Sequence, residues 1–364
     1  MAIILALAAF PPPSLFGGGV ADTIGPVTQD TQSPIPVAVI GCGRMGQLHA
    51  RVYSQMDSVR LVGVHDADPD VAVSVTEKFG GEVFKKVEDL ADRVAAVTIA
   101  VPTQFHAFVA EPLLRRGVAC LIEKPLAKDA EEARQIANWA REHKAVVQVG
   151  HIERFNPAIR SMSRLGIAPR FIEVVRISPL TFRSIDVGVV LDVMIHDIDI
   201  VLQLAQSKVA QIDAVGVGVI GSAEDVCNAR LRFENGCVAN LTASRLALKT
   251  ERKLRVFSPE AYISIDYQKK YGIVARKTEN LTAIRDTVTR IRAGDIEDLS
   301  QIDFTELVNV EELQIDDIEP LRAELDSFID AVRGKSKPVV TAEDGVAAVE
   351  LAQRIVDATG KQVL

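Results

Sequence analysis

The chain has 364 residues, enough for two domains of ordinary size, and its 48% hydrophobic and 25% charged content is that of a globular protein. The net charge of −8 at pH 7 argues against non-specific binding of nucleic acid. Its four cysteines form no C-x-x-C pair and no metal-ligand spacing. We therefore expect reduced core cysteines, a cytoplasmic location and no bound metal.

The first 34 residues differ in composition from the rest. Residues 1–10 are apolar, a triple proline and a triple glycine follow, and the first basic residue is Arg44. A secretory signal needs a basic segment before its apolar run, and a twin-arginine signal needs its arginine pair. The run is also too short to span a bilayer, so no membrane segment is expected. We interpret residues 1–34 as a disordered extension; a start-site artefact and a degenerate export signal are the alternatives.

A glycine-rich turn follows the first predicted strand, at 36–40. The pattern is Gly41-x-Gly43-x-x-Gly46, and a helix is predicted directly after it, over 44–55. Gly41 permits a tight turn, Gly43 lets the backbone approach a pyrophosphate, and Gly46 allows close packing of helix on strand. The free N–H groups at the helix start attract phosphate. This strand–turn–helix context predicts a dinucleotide site.

An acidic residue follows the second predicted strand, at 60–65. Asp66 lies 20 positions beyond Gly46, where a carboxylate accepts hydrogen bonds from the adenosine ribose diol. Ala67 comes next, so nothing basic is placed to neutralise a 2′-phosphate, and NAD is favoured over NADP.

Strands and amphipathic helices alternate up to about residue 150, which predicts a parallel sheet covered on both faces. Ligands of such sheets bind beyond the carboxyl ends of the strands. The remaining elements of this part are strands at 95–101, 118–122 and 145–149 and helices at 69–79, 104–116 and 129–142.

Successive strands dominate after residue 157 and predict an antiparallel or mixed sheet with an open face. Asn235-Gly236 predicts a two-residue hairpin turn. The polar stretch 277–318 fits no clear pattern, and Thr341 is placed to cap the last helix. The predicted elements are strands at 210–219, 225–234, 237–246, 253–258, 261–267 and 271–276, and helices at 190–206, 321–333 and 341–358.

The predicted fold is therefore α/β: a Rossmann domain with a doubly wound parallel sheet, then an α/β domain with a large open sheet. We place the nucleotide-binding domain at 35–157 and a substrate-binding and oligomerisation domain at 158–364. The open sheet face predicts a homodimer or homotetramer.

Lys124 closes the strand 118–122, within Glu123-Lys124-Pro125. A lysine beside a cofactor cleft can donate a hydrogen bond to a substrate oxygen, and Pro125 restricts its backbone to extended conformations. In isolation, a solvated loop lysine is the alternative.

Asp192 and His196 are four residues apart on the predicted helix 190–206 and would share one face. A carboxylate beside a histidine raises its pKa and orients its ring, so the pair could remove a hydroxyl proton. A surface salt bridge and half of a metal site are the alternatives.

The segment 150–157 follows the last strand of the first domain. Arg154 could bind an anionic substrate group through its planar fork, and Asn156 a sugar hydroxyl or the nicotinamide amide. A turn between domains, without ligand contacts, is the alternative.

These blocks together resemble the Gfo/Idh/MocA family, the group of glucose–fructose oxidoreductase and inositol dehydrogenase. The glycine turn with His49, Pro102 with His106, Glu123-Lys-Pro125, and Gly188-x-x-x-Asp192-x-x-x-His196 occur in the family's order over about residues 35–360. The resemblance implies NAD(P)-dependent oxidation of a sugar or polyol hydroxyl.

By position, the family resemblance makes Lys124 and His196 the catalytic pair, with Asp192 assisting. The resemblance also places Pro102, Thr103 and His106 on the nicotinamide side. The expected cofactor contacts are Gly41, Gly43, Arg44, Met45, Gly46, Asp66, Pro102, Thr103, His106, Glu123 and Lys124, and the expected substrate contacts are Arg154, Asn156, Asp192 and His196.

The segments 150–157 and 192–199 are similar to the branch of the family that contains UDP-N-acetylglucosamine 3-dehydrogenases, which serve the synthesis of some lipid A. Many family members have several glycines before the aspartate, whereas here Gly188 stands alone among valines. The substrate therefore stays open between a nucleotide sugar, a free sugar and an inositol. An NAD-dependent glycosidase and a non-catalytic NAD-binding regulator are further alternatives.

Overall fold

Two β-sheets organise the structure, a computed structural model that describes residues 33–181, 187–221, 223–276, 281–295 and 309–360. Nearly all of the N-terminal extension and part of the stretch 277–318 lie outside these described residues. The strands are β1 Ile35–Ile40, β2 Val59–His65, β3 Glu82–Val83, β4 Ala96–Ile99, β5 Ala119–Glu123, β6 Val147–Gly150, β7 Phe171–Ile177, β8 Val209–Val217, β9 Val226–Phe233, β10 Val238–Ser244, β11 Glu251–Phe257, β12 Ala261–Asp266, β13 Tyr271–Arg276 and β14 Asn309–Glu312.

Ten α-helices are assigned within the described residues. Short 3-10 turns span Thr103–Phe105 and Ile152–Phe155, and a π-helical turn spans Val190–Met194. The helices are α1 Arg44–Ser54, α2 Pro69–Phe79, α3 Glu88–Ala91, α4 His106–Leu114, α5 Ala130–Glu142, α6 Pro157–Ser163, α7 Ile195–Ala205, α8 Leu281–Ala293, α9 Pro320–Val332 and α10 Ala342–Ala358.

The first sheet has six parallel strands in the order β3-β2-β1-β4-β5-β6. Helices cover both faces, which is why the central strands β1 and β4 are apolar and buried along nearly their whole length. The strand order reverses between β1 and β4, so a crevice opens at their carboxyl ends. The predicted doubly wound parallel sheet is confirmed.

The second sheet has eight strands in the order β14-β13-β12-β11-β7-β10-β9-β8. It is mixed, because β10 pairs parallel with β7 while the other pairings are antiparallel. The strand prediction omitted β7 at the centre of the sheet. Its apolar alternation is broken by Arg176, a charged residue on the buried face that is 3% exposed.

The turn between β9 and β10 is a hairpin, as predicted, but its loop has three residues instead of two. The N–H of Phe233 donates to the carbonyl of Cys237 (2.9 Å), which leaves Glu234, Asn235 and Gly236 outside the ladder. Gly236 has φ +82°, whereas Asn235 is not left-handed as a type I′ turn requires.

The C-terminal helices return to the first sheet. Leu325 and Phe328 of α9 are fully buried in the core that β1 and α1 share. Thr341 caps α10 as predicted, since it exchanges hydrogen bonds with Asp344 in a capping box. Helix α9 comes after residue 157 but packs on the first sheet. A single domain boundary at residue 157 therefore does not separate the two packing units.

The described part of the chain contains no helix with both the length and the apolar character needed to cross a bilayer. All four cysteines are free and buried, which agrees with the expected reduced thiols.

Candidate active site

The glycine turn after β1 has the geometry that a dinucleotide requires. Gly41 has φ +90°, and a Cβ there would lie 2.6 Å from the Ala100 carbonyl. A Cβ at Gly46 would overlap the Gly41 carbonyl oxygen, whereas the space around Gly43 is open. No described side chain caps α1, so its first N–H groups remain available to a pyrophosphate.

Asp66 lies beside this turn, as the sequence predicts. Its carboxylate accepts the N–H of Cys42 (2.6 Å) and the N–H of Asp68 (2.9 Å). These bonds hold the end of β2 against the glycine turn. The contact with the ribose diol stays a prediction.

Lys124 is not a solvated loop lysine, because its side chain joins the end of β5 to Asp192. Its Nζ donates a 2.7 Å hydrogen bond to the Asp192 carbonyl and lies 3.5 Å from the Asp192 carboxylate. The Lys124–Pro125 peptide bond is cis. The lysine is thereby directed from the end of β5 toward the turn that precedes α7.

Asp192 does not orient His196, contrary to the prediction. Residues 190–194 form a π-helical turn directly before α7, so Asp192 and His196 do not lie in one regular α-helix as predicted. Asp192 pairs with Lys124 instead, and no hydrogen bond joins it to His196 among the described residues.

His196 is neutral in this environment. Burial lowers its pKa well below the usual value, and the positive groups of Lys124, Arg176 and Arg252 lower it further. The predicted rise from Asp192 is therefore wrong. A neutral imidazole has a free lone pair and can accept a proton.

Two cavities meet at the Lys124–Asp192 contact. One, of about 550 Å³, is lined by residues that include Arg44, Met45, Lys124, Asp192, His196 and Arg252. The other, of about 680 Å³, contains Pro102 and Thr103, the residues expected on the nicotinamide side, together with Lys124 and Asp192. The structure thus brings the glycine turn, Lys124 and His196 to one cleft.

Three predicted contacts have other roles in the structure. Arg154 is buried in a two-bond ion pair with Asp199 (2.6 and 2.8 Å) and lines a separate cavity of about 420 Å³. Asn156 caps α6 by accepting the N–H of Ala158 (3.1 Å). His106 is buried between the carbonyls of Val101 and Pro125, both 3.0 Å away, and lines neither cavity of the cleft.

An ionic cluster supports the floor of the first cavity and was missed from the sequence. Arg176 makes two 2.8 Å hydrogen bonds to Asp197 and one of 2.9 Å to Glu153. Burial alone would lower the pKa of Arg176, but these carboxylates raise it instead. Arg252 lies 3.9 Å from Glu153 and keeps 45% of its side chain exposed to the cavity and solvent. The signal available in the sequence was Arg176, a charged residue where the alternation of β7 calls for an apolar one.

Glu123 lines the first cavity and also belongs to a second buried cluster. Its Oε1 lies 2.9 Å from Nε2 of His49, and Glu324 of α9 completes a group whose ligand atoms are within 4.8 Å of one another. This set could hold a metal ion. Neither carboxylate oxygen of Glu324 has a hydrogen-bond partner among the described residues. Burial and the proximity of Glu123 raise the pKa of Glu324 well above 4.5, which favours a neutral acid.

Comparison with protein families assigns the chain. Residues 35–151 match the NAD-binding Rossmann fold of the Gfo/Idh/MocA oxidoreductase family, and residues 180–264 match the Gfo/Idh/MocA C-terminal domain. The chain belongs to the Gfo/Idh/MocA family. The predicted family, the NAD cofactor and the assignment as a dehydrogenase acting on CH–OH groups are thereby confirmed.

Among Gfo/Idh/MocA relatives, UDP-N-acetylglucosamine 3-dehydrogenase of Acidithiobacillus ferrooxidans is 39% identical over 63% of this chain and 73% of its own length. Inositol 2-dehydrogenase of Rhizobium meliloti is 27% identical over 87% of this chain and 94% of its own length. The solved structure of the A. ferrooxidans enzyme superposes with a TM-score of 0.78 at 30% identity, covering 90% of this chain and 98% of that one.

Proposed function

We propose that this protein oxidises a ring hydroxyl of a nucleotide sugar with NAD, and that UDP-N-acetylglucosamine, oxidised at its 3-hydroxyl to the 3-keto sugar, is its substrate. The observation that carries the proposal is that Lys124 and His196 line one cavity beside the glycine turn. A hydrogen-bond donor and a neutral base on the same cavity wall are what alcohol oxidation requires.

His196 would accept the hydroxyl proton, since its ring lines the cavity in a neutral state. Lys124 would donate a hydrogen bond to the same oxygen and stabilise its developing negative charge. Asp192 would hold Lys124 in place through the contact described above. Bound NAD would supply the hydride acceptor, held on the glycine turn and the start of α1.

Arg252 takes the place of Arg154 as the proposed anion contact. It lines the same cavity as His196, and its nearest carboxylate, Glu153, already bonds Arg176. A guanidinium with free donors suits the diphosphate of a nucleotide sugar. The 39% identity to a UDP-N-acetylglucosamine 3-dehydrogenase favours the same substrate class.

Arg252→Met tests the substrate class. Loss of a charge-assisted hydrogen bond of about 1.5–3 kcal/mol should raise KM for UDP-N-acetylglucosamine roughly 10- to 100-fold. A neutral free sugar should be oxidised no worse than before. Arg255→Met is the matched control, because Arg255 lies on the same strand but bonds Glu173 on the opposite face. Equal effects of both variants, or an unchanged KM, would contradict the anion contact.

The activity itself is tested with the pure protein, NAD and a panel of nucleotide sugars, free sugars and inositols, by the absorbance of NADH. A carbonyl trap or an aminotransferase is included because an unfavourable keto equilibrium can hide turnover. Lys124→Met and His196→Asn should lose turnover and still bind NAD. Turnover of an inositol alone would favour the second candidate, which the 27% identity to an inositol 2-dehydrogenase supports. Bond cleavage without net NADH would indicate a glycosidase, and full activity of both variants would refute the proposed roles.

The proposal extends to the setting of the enzyme: a cytoplasmic homodimer or homotetramer whose product enters lipid A synthesis. Aromatic side chains on the sheet face away from α7 support self-association. Phe257 packs at a tilt against Phe171 and Tyr262, with 5.7 and 4.9 Å between ring centroids, and remains 39% exposed. Light scattering of the wild type and of Phe257→Glu tests this, with loss of the oligomer expected in the variant.

A further inference from the structure

Two buried imidazole rings contact each other under the first cavity. His151 directly precedes the 3-10 turn after β6, and His196 lies in the first turn of α7. Their ring centroids are 6.5 Å apart and the planes meet at 87°, an edge-to-face arrangement. His151 is only 1% exposed.

The ring nitrogens of this pair lack partners. Both nitrogens of His151 and Nδ1 of His196 are buried without a hydrogen-bond partner among the described residues. Burial lowers the pKa of both rings, so each is neutral and carries one N–H. An unpaired N–H in the interior costs about 1–3 kcal/mol. At a centroid separation of 6.5 Å the ring nitrogens are too far apart for a direct bond, but one water bonded to both rings removes that cost for His196.

We propose that His151 is a positioning residue for His196: through one bridging water it accepts the hydrogen bond of the Nδ1–H group, and so keeps Nε2 free to take the substrate proton. This inference rests on the proposed role of His196 as the base. A base histidine is held in one tautomer by the partner of its other nitrogen. Asp192 cannot serve as that partner because it pairs with Lys124.

The charged groups around the two rings leave this role to His151. The nearest charges to His151 are committed elsewhere, since Arg154 and Asp199 pair with each other and Glu123 bonds His49. The groups that face the pair are Glu123, Lys124, Arg154, Asp199, Arg176 and Arg252.

Three substitutions at His151 separate hydrogen bonding from packing. His151→Phe keeps a buried ring and removes the acceptor, whereas His151→Asn and His151→Gln keep an acceptor oxygen near one or the other ring nitrogen. We expect kcat to fall by on the order of 10²-fold in His151→Phe, with the NAD affinity unchanged. At least one amide variant should recover kcat to within about threefold. His143→Gln, at the partly exposed end of α5, is the control.

The tautomer of His196 is read directly by NMR of the protein labelled with ¹⁵N-histidine, which has six histidines. The wild type with bound NAD should show the Nδ1–H form of His196, and His151→Phe should show a mixture. This measurement needs no turnover, so it stands even if the substrate panel fails. The Nε2–H form in the wild type, an unchanged His196 spectrum in His151→Phe, or equal losses of kcat in all three variants would overturn the inference.

Discussion

Replacing the buried acid Glu324 by glutamine should make the protein more stable at neutral and alkaline pH. Glu324 is fully buried next to Glu123. Burial is the larger cause, and the charge of Glu123 the smaller one, that raises the pKa of Glu324 well above 4.5. A glutamine has the shape of the neutral acid but no proton to lose.

The sign and the size follow from proton linkage. Because the pKa of Glu324 is raised on folding, its stabilising contribution is complete below pH 4.5 and is lost as pH rises toward the folded-state pKa. One proton corresponds to a slope of about 1.4 kcal/mol per pH unit. The free energy of unfolding of Glu324→Gln, minus that of the wild type, should therefore rise by up to about 1.4 kcal/mol for each pH unit above pH 5. Titrating groups that do not interact with Glu324 cancel in this difference.

Urea unfolding between pH 5 and 9, followed by circular dichroism, measures the difference. Glu142→Gln, which removes an exposed carboxyl at the end of α5, controls for net charge. A difference that does not change with pH would refute the neutral acid. So would a loss of stability at every pH together with destabilisation of the wild type by EDTA, since that pair of results indicates a cation bound by His49, Glu123 and Glu324.

Three further predictions concern single residues. Arg176→Met leaves Asp197 buried without its cation and should cost about 3–5 kcal/mol in urea unfolding; a loss below about 1 kcal/mol would contradict the ion pair. Asp66→Ala should weaken NAD binding roughly 10- to 100-fold by calorimetry, because a charge-assisted bond to the ribose is lost; an unchanged Kd would show that Asp66 only supports the turn. Gly46→Ala should abolish NAD binding, since the new methyl overlaps the Gly41 carbonyl, and retained binding would refute the close packing.

Patterns confined to a short stretch of chain predicted the first sheet well. The turn Gly41–Gly46 follows the end of β1, and Asp66 follows the end of β2. The carboxyl ends of parallel strands meet at one edge of the sheet, so the two features lie together. The same rule carried Lys124 to the cleft. His106, which the family resemblance alone placed beside the nicotinamide, lies buried between two backbone carbonyls that the sequence did not identify as its partners.

The second domain was predicted less completely because its polar residues depend on distant partners. Arg154 was expected to bind an anion, but Asp199, 45 positions away, satisfies its guanidinium. The central strand β7 was missed because its buried face carries the charged residue Arg176. The partners of Arg176 lie far along the chain, in α7 and in the turn after β6. A strand that buries a charge cannot be recognised until the counter-charge is known.

The sequence by itself determined the family, the cofactor and the cleft that holds it, because these depend on glycines, strand ends and ordered motifs. Only the tertiary structure decided which residues contact Lys124 and which contact His196. Folding brought Asp192 to Lys124, 68 positions before it in the chain, and placed His151 against His196, 45 positions along the chain. The physical reason is that a hydrogen bond needs positions within about 3 Å, and a spacing along the chain specifies such positions only within one regular element.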